Sequence, residues 1–552
     1  MIRCQKHFEL WDVFEELAVQ EAGHKLVATR HRLDECFCKA LVFFHLDCRD
    51  EASSFEPSYI VIYAFVFLLH KRLRRCALGV GIHASSATGM LRKEAGNLKV
   101  SPVSVPLPAE VVSYNTRGVT DSDIARQDWL RARSLYSDGV YKPKNTKRMD
   151  VDGSRFIMMQ GFHWYADNKW LNIPGGWWGM LSSRAAEMGR AGFNLIWLPP
   201  ASIGSYYPTE YYNLRSQWGD KNGMKKAVSS LHSAGMYVLA DAVLNHRNGT
   251  KDWYDYTSPD WPTTVIVQND EWKGFPGQPN NGKSSNYDQG QNEVGCRDLD
   301  HTQKIVQDEI KIFLRWLRTE IGVDGWRYDM VKGYPPYYVG LYNNATQPMF
   351  SIGEYFDGNR QTLTNWIDGT DSNYGKANAS TAFDFTTHFN ILSAVETDNF
   401  SNLNDGGRPS GLIGWWPAKA VTFVENHDTS PRDPNFIANA TTEYKTQRMM
   451  GYAYILTHPG TPCVFWPHYF DWGSNYKNQI NKLVQIRKNA GISSTSRMAI
   501  MQATNGLYAA VIDGDRQRVV VKLGKNWGWQ PGGNGWTLAT SGERYAVWTQ
   551  NR

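Results

Sequence analysis

The sequence predicts an α/β chain: a (β/α)8 (TIM) barrel with a loop domain inserted after its third strand and an antiparallel β domain at the C-terminus. Three observations carry that expectation. Short apolar runs alternate with helical patterns from Arg155 to about residue 490. Residues 247–303 interrupt this alternation with a stretch rich in Gly, Asn, Pro and Trp. After about residue 495, apolar runs follow one another with only turn residues between them. Strand–helix alternation implies a parallel sheet, and eight units over roughly 320 residues suit a closed barrel.

The elements follow in order. Phe156–Gln160, Asn194–Leu198 and Met236–Ala240 are apolar runs of strand length. Between the last two, Met224, Val228 and Leu231 fall on one helical face, and Gly235 stops the helix. Residues 247–303 form the long excursion, and long insertions in compact folds are usually functional. Val306, Ile310, Phe313, Leu314, Leu317 and Ile321 keep helical spacing up to Gly322. Val323–Tyr328, Phe350–Gly353, Ala382–Phe385, Ala420–Glu425 and Cys463–Trp466 complete the barrel strands. Leu507–Ile512, Val519–Leu523 and Arg544–Trp548 read as strands of the closing domain. The expected boundaries are 151–246 with 304–490 for the barrel, 247–303 for the inserted domain and 491–552 for the β domain.

Residues 1–150 have a different texture and are expected to be an N-terminal extension, with a polar linker over 101–150. The charged start (Arg3, Lys6, Glu9, Asp12) is unlike a secretory signal peptide, so the compartment stays open. The apolar run Tyr59–Leu69 is short for a bilayer, which needs about 17–25 residues. It reads as a buried element, a membrane anchor, or sequence ahead of a later start at Met90 or Met149. Removing residues 1–145 is expected to leave the chemistry intact, because no motif lies there.

Composition excludes several functions. Of 552 residues, 42% are hydrophobic and 20% charged, which supplies a large core and rules out a disordered chain. A net charge of +5 is too small for binding nucleic acid through a broad basic face. Five of the seven cysteines lie in the first 76 residues, so no disulfide framework holds the main body. The 22 tryptophans serve cores first, but flat apolar rings also suit sugar faces.

In this architecture active sites lie at the C-terminal ends of the strands. The third strand ends in Asp241-Ala-Val-Leu-Asn245-His246, and the fourth in Arg327-Tyr-Asp329-Met-Val-Lys332. The fifth ends in Glu354-Tyr-Phe-Asp357, and the seventh in Glu425-Asn426-His427-Asp428. One Asp at a strand end is usually a cap, but carboxylates from four strand ends on one rim need a use. Two carboxylates flanking a scissile bond are what glycoside hydrolysis requires. A metal-dependent hydrolase is the rival reading, although His246 and His427 lack the usual spacing of a helical metal motif.

These four segments resemble the signature regions of the α-amylase family of glycoside hydrolases. The chain is most similar to the plant type through Gln160-Gly-Phe-His-Trp164, Ile196-Trp-Leu-Pro-Pro200, Gly414–Phe423, Gly451–Cys463 and Tyr545-Ala-Val-Trp548. The resemblance covers about Phe156 to the C-terminus. It implies a retaining, endo-acting α-amylase, with Asp329 as nucleophile, Glu354 as general acid/base and Asp428 stabilising the transition state. Tyr206, His246, Arg327, Lys332 and His427 would contact the substrate or hold the nucleophile, and Asp241 would support them. Arg327 is expected to keep Asp329 ionised. Asn245, Asp298 and the carbonyl of Gly333 would bind a structural Ca²⁺. Trp415 and Trp416 either split between core and surface or form a surface starch site, and Tyr508 would be a further surface sugar contact. A related exo-amylase or transglycosidase, or a catalytically silent carbohydrate-binding relative, are the alternatives. The expected partners are starch, glycogen or malto-oligosaccharides, bound by a monomer with no nucleic-acid or membrane partner. Asn248, Asn344, Asn378, Asn399 and Asn439 begin glycosylation sequons.

Overall fold

The computed structural model describes residues 119–142, 154–166, 174–250, 255–270, 284–293, 295–375, 378–433, 436–437 and 439–552. The chain divides into two units, Met1–Ser113 and Tyr114–Arg552, and everything described belongs to the second. The early cysteines, the apolar run Tyr59–Leu69 and both possible later starts lie outside the described residues. No helix among the described residues is long and apolar enough to cross a membrane.

Eight parallel strands close into a barrel in sequence order: β1 (Met158–Gln160), β2 (Leu195–Trp197), β3 (Tyr237–Ala242), β4 (Gly325–Tyr328), β5 (Ser351–Gly353), β6 (Thr381–Phe383), β7 (Ala420–Phe423) and β8 (Thr461–Phe465). Each coincides with an expected run. Apart from Tyr237, every strand residue is buried, because side chains pack either into the barrel or under the surrounding helices. The register is continuous around the ring, with Met158 beside both Leu195 and Cys463. The helix after the excursion runs over Lys304–Trp316, continues as a wider turn to Ile321 and ends at Gly322, whose φ of 94° needs no side chain.

The excursion after β3 leaves and returns as a two-stranded ribbon, with His246 paired to Asp298 and Arg247 to Arg297. It is held by buried cations rather than by long apolar runs. Arg247 donates to the carbonyls of Thr209, Thr257 and Pro259 among the rings of Tyr211, Tyr256 and Trp261. Arg297 pairs with buried Asp270, whose other oxygen accepts the amide of Asp298.

The closing domain has five antiparallel strands: β9 (Met498–Thr504), β10 (Leu507–Asp513), β11 (Gln517–Leu523), β12 (Thr537–Ser541) and β13 (Tyr545–Asn551), in the order β9-β10-β11-β13-β12. The three expected runs are the inner strands β10, β11 and β13. The sequence reading missed the two edge strands.

One expectation is corrected. Residues 121–136, read as linker, form helix α1 (Asp121–Tyr136), started by a capping box between Thr120 and Asp123. Ala125, Trp129, Ala132 and Tyr136 form its buried stripe. Trp129 Nε1 donates to Glu309 (2.8 Å) and the Tyr136 hydroxyl to Glu320 (2.8 Å), both on the helix that follows the excursion. At its start, Ser122 donates to Glu210 (2.9 Å), which also accepts from Thr257 in the excursion (2.9 Å). Trp129→Ala should therefore cost about 3 kcal/mol of stability, toward the low end for a buried Trp, while leaving kcat unchanged. Urea denaturation alongside a starch assay checks this, and an unchanged midpoint would mean that the helix contributes nothing to stability.

Candidate active site

The register of the strands builds the site. Tyr328 of β4 pairs with Gly353 of β5, so the next residues, Asp329 and Glu354, stand level at the barrel rim. The ladder continues one step beyond them: Glu354 N donates to Tyr328 O (3.0 Å) and Asp329 N to Ala242 O (3.1 Å). Arg327 and Asp329 are two apart along a strand and face the same way. Ser205 and Met330 take positive φ values of 56° and 41°, beside Tyr206 and Asp329. Such backbone costs on the order of 1–3 kcal/mol per residue and persists only where the surroundings impose it. At Met330 the amide donates to Glu354 Oε2 (3.0 Å).

One guanidinium serves three carboxylates. Buried Arg327 places Nη1 2.8 Å from Asp241 Oδ1 and 2.5 Å from Asp329 Oδ1, and Nη2 2.8 Å from Glu354 Oε2. Asp241 also accepts from Trp197 Nε1 and the Tyr206 hydroxyl, each at 2.9 Å. Burial pushes Glu354 up to about 8, Asp329 to about 7 and Asp241 to about 6, with Arg327 pulling each back. Arg327, expected to keep Asp329 ionised, does favour the carboxylate, but desolvation by burial acts against it and is the larger effect. Glu354 and Asp329 are thus both raised by burial, and the shared guanidinium opposes the shift in each.

The histidines are neutral. Burial holds His427 down at about 3, and it lowers His246 as well. His246 Nε2 donates to Tyr206 O (2.9 Å). His427 stacks on Tyr206 (centroids 5.2 Å apart), with Gln160 Nε2 3.1 Å from Nδ1 and Asp428 Oδ2 3.2 Å from Nε2. Asp329, Glu354, Asp428, His246 and His427 line a cleft of about 340 Å³, whose walls also include Trp164, Tyr206, Lys332, Phe356 and Arg432. A larger cavity, about 440 Å³, opens at the N-terminal mouth of the barrel beside Asn194 and Gly235. Its arginines are occupied: Arg487 donates to His458 O and Gly460 O, Arg516 to Asn489 O, and Arg155 pairs with Asp515.

Residues 489–549 match the family described as "Alpha-amylase C-terminal beta-sheet domain". The chain is 35% identical over 427 residues to "Probable alpha-amylase 2" of Arabidopsis thaliana, covering 73% of this chain and 95% of that protein. The chain belongs to the α-amylase family of glycoside hydrolases. It is also 47% identical over 148 residues to "Alpha-amylase type B isozyme" of Hordeum vulgare, covering 26% of this chain and 88% of that protein. A solved Anoxybacillus α-amylase superposes with a TM-score of 0.55 at 16% identity, covering 73% of this chain and 99% of that one, a likeness of fold.

Other residues singled out in this α-amylase family chain fall in different places. Lys332 lines the cleft, 3.3 Å from Asp357 and over the ring of Tyr355. Trp415 is 51% exposed, with the Arg360 guanidinium 4.0 Å from its centroid, while Trp416 packs on the core. Tyr508 is not at the surface, which corrects its reading as a surface sugar contact. It is 0% exposed on the inner side of β10, with its hydroxyl 2.8 Å from His458 Nε2. Gln160 and Trp164 were legible as part of a motif but without a role. Arg432 was missed altogether, since it follows no apolar run.

The expected cation ligands converge. A Cβ on Gly333 would stand 1.9 Å from Asn245 Oδ1, and one on Gly290 2.5 Å from Gly333 O, so both positions need glycine. Asn245 Nδ2 donates to Asp298 Oδ1 (2.9 Å). Asp288, two residues before Gly290, has a buried Oδ2 without a hydrogen-bond partner. No group of three or more His, Cys, Asp or Glu side chains among the described residues could hold a metal. The donors here are instead carboxylate, amide and carbonyl oxygens, and that set fits a hard cation such as Ca²⁺.

Proposed function

We propose that this chain is a retaining, endo-acting α-amylase that hydrolyses internal α-1,4 bonds of starch- or glycogen-like glucans. The observation that carries the reading is the pair Asp329 and Glu354, level on neighbouring strands and joined by Arg327. Adjacent strands lie about 4.7–4.9 Å apart. That spacing favours the ~5–5.5 Å carboxyl separation of retaining enzymes over the ~6.5–9.5 Å of inverting ones.

Asp329 attacks the anomeric carbon as Glu354 gives its proton to the leaving oxygen, forming a covalent glycosyl-enzyme. Glu354, now a carboxylate, takes a proton from water, and that water displaces Asp329. Asp428 and the neutral His246 and His427 hold hydroxyls of the sugar undergoing cleavage, and Tyr206 stacks on its ring. Lys332 meets the leaving-group side. Asp241 orients Arg327 and Tyr206 from behind. Trp415 remains available as a surface sugar contact. Members of the family are generally calcium-dependent. Asn245, Asp288, Asp298 and the Gly333 carbonyl would hold that ion, which would fasten the excursion to the barrel and stabilise the folded state by binding it alone.

Two displacements at one carbon restore its configuration. Proton NMR of fresh reducing ends, taken before mutarotation, should therefore show the α-anomer. A β-anomer as first product would refute the two-step mechanism and reassign both carboxylates.

A further inference from the structure

Arg432 has no place in the scheme above, yet it stands inside the cleft. Its Nη2 lies 2.8 Å from Asp428 Oδ1, and its guanidinium carbon sits 4.6 Å from the centre of the Trp164 ring. The side chain is 60% exposed, so it faces solvent rather than the core. Trp164 is anchored beneath it against Tyr206 and His427, at 5.3 and 5.1 Å between centroids. Its indole N–H is buried and has no acceptor. An arginine on an aromatic face, beside a carboxylate, is a pre-oriented fork of donors.

Position around the ring says which part of a substrate this fork meets. Trp164 follows β1 and Glu354 follows β5, and in a closed ring of eight sequential strands these two are diametrically opposite. Arg432 reaches from the β7 side over Trp164. It therefore lies across the cleft from Glu354, which protonates the leaving oxygen. A sugar that touches Arg432 belongs to the part of the chain that stays on Asp329, not to the part that departs.

We propose that Arg432 is a specificity-determining residue that binds hydroxyls of the glucose unit next to the one held by Asp428 and His427, on the non-reducing side. The inference rests on the glucanase reading of the site. In the free enzyme Asp428 occupies one end of the guanidinium. When sugar hydroxyls take over that carboxylate, the freed N–H groups donate to the adjacent ring, so the cleft favours chains that place a unit there.

The test is the cleavage-site distribution on maltoheptaose carrying a reducing-end chromophore, for the wild type, Arg432→Ala and Arg432→Lys. The ratio of cleavage sites is unaffected by a uniform rate loss, which is all that a displaced Asp428 would cause. In Arg432→Ala the preference for the principal bond over its neighbour should fall by roughly 2- to 10-fold, the worth of about one net hydrogen bond. Arg432→Lys keeps the charge but not the fork and should fall between. Thermal melts establish that both variants are folded. A wild type that cuts and an Arg432→Ala that cuts with the same distribution would overturn the role of Arg432 alone. A wild type that cuts no bond overturns the glucanase reading, and this proposal with it.

Discussion

Asp329→Asn and Glu354→Gln should each lower turnover of soluble starch on the order of 10⁴-fold or more while leaving the fold intact. General acid catalysis alone contributes about 10²–10⁴-fold, and loss of the nucleophile removes the covalent route altogether. The two variants also predict the pH behaviour. Below about 7 Asp329 gains a proton and stops attacking, and above about 8 Glu354 loses the one it must donate. The acid limb of kcat/KM should therefore lie well above the ordinary aspartate range. Stability has a definite sign as well. A carboxyl whose folded pKa is raised contributes stability that is present below its unfolded pKa and lost as pH rises through the folded value. Wild type should lose stability on moving from pH 5 to pH 9, and Glu354→Gln should lose less. Either variant turning over at near wild-type rate, with folding confirmed by circular dichroism, would sink the assignment.

Arg327→Ala should destabilise the protein by about 3–5 kcal/mol, the cost of stripping a buried carboxylate of its partner. Three carboxylates depend on this cation at 2.5–2.8 Å. Without it they hold protons still more tightly, so the deficit should widen from pH 5 to pH 8. Urea denaturation at both values measures this. Arg327→Lys should recover only part, because a single ammonium cannot bridge the span that two guanidinium nitrogens cover. An equal, small loss at both pH values would show that the carboxylates do not need the cation.

The barrel was legible because its strands are buried on both faces, so each is a mainly apolar run, with Gln160, Asp241 and Arg327 among the few polar residues inside them. The polar residues that follow those runs could then be placed on one rim without knowing the turns. Helix α1 was not legible, for a physical reason. Two of its four buried positions, Ala125 and Ala132, are alanines, while Ile124, Leu130 and Leu135 are exposed, so the apolar stripe is blurred. Tyr508 misled because an aromatic on a strand has two possible faces, and only the packing of the sheet decides between them. Asp288 and Arg432 were missed because both sit on irregular segments, where no periodicity marks a residue's direction. Proton affinity was least accessible, since the depth of burial that governs it is a property of the closed site.

The terminal sheet has a further consequence, for behaviour in concentrated solution. A barrel has no open borders, but a five-stranded sheet has two, each a row of backbone donors and acceptors that another chain can pair with. Here the border strands are β9 and β12. Both carry an irregular step, between Ile500 and Gln502 and between Leu538 and Thr540, whereas the interior pairings run without interruption. A bulge twists a border strand and breaks its ladder, so an incoming strand meets a mismatched template. The irregularities therefore guard against chain-to-chain association at the two borders of this sheet, and Leu538, apolar and open to water on one of them, is the side chain that most needs that protection.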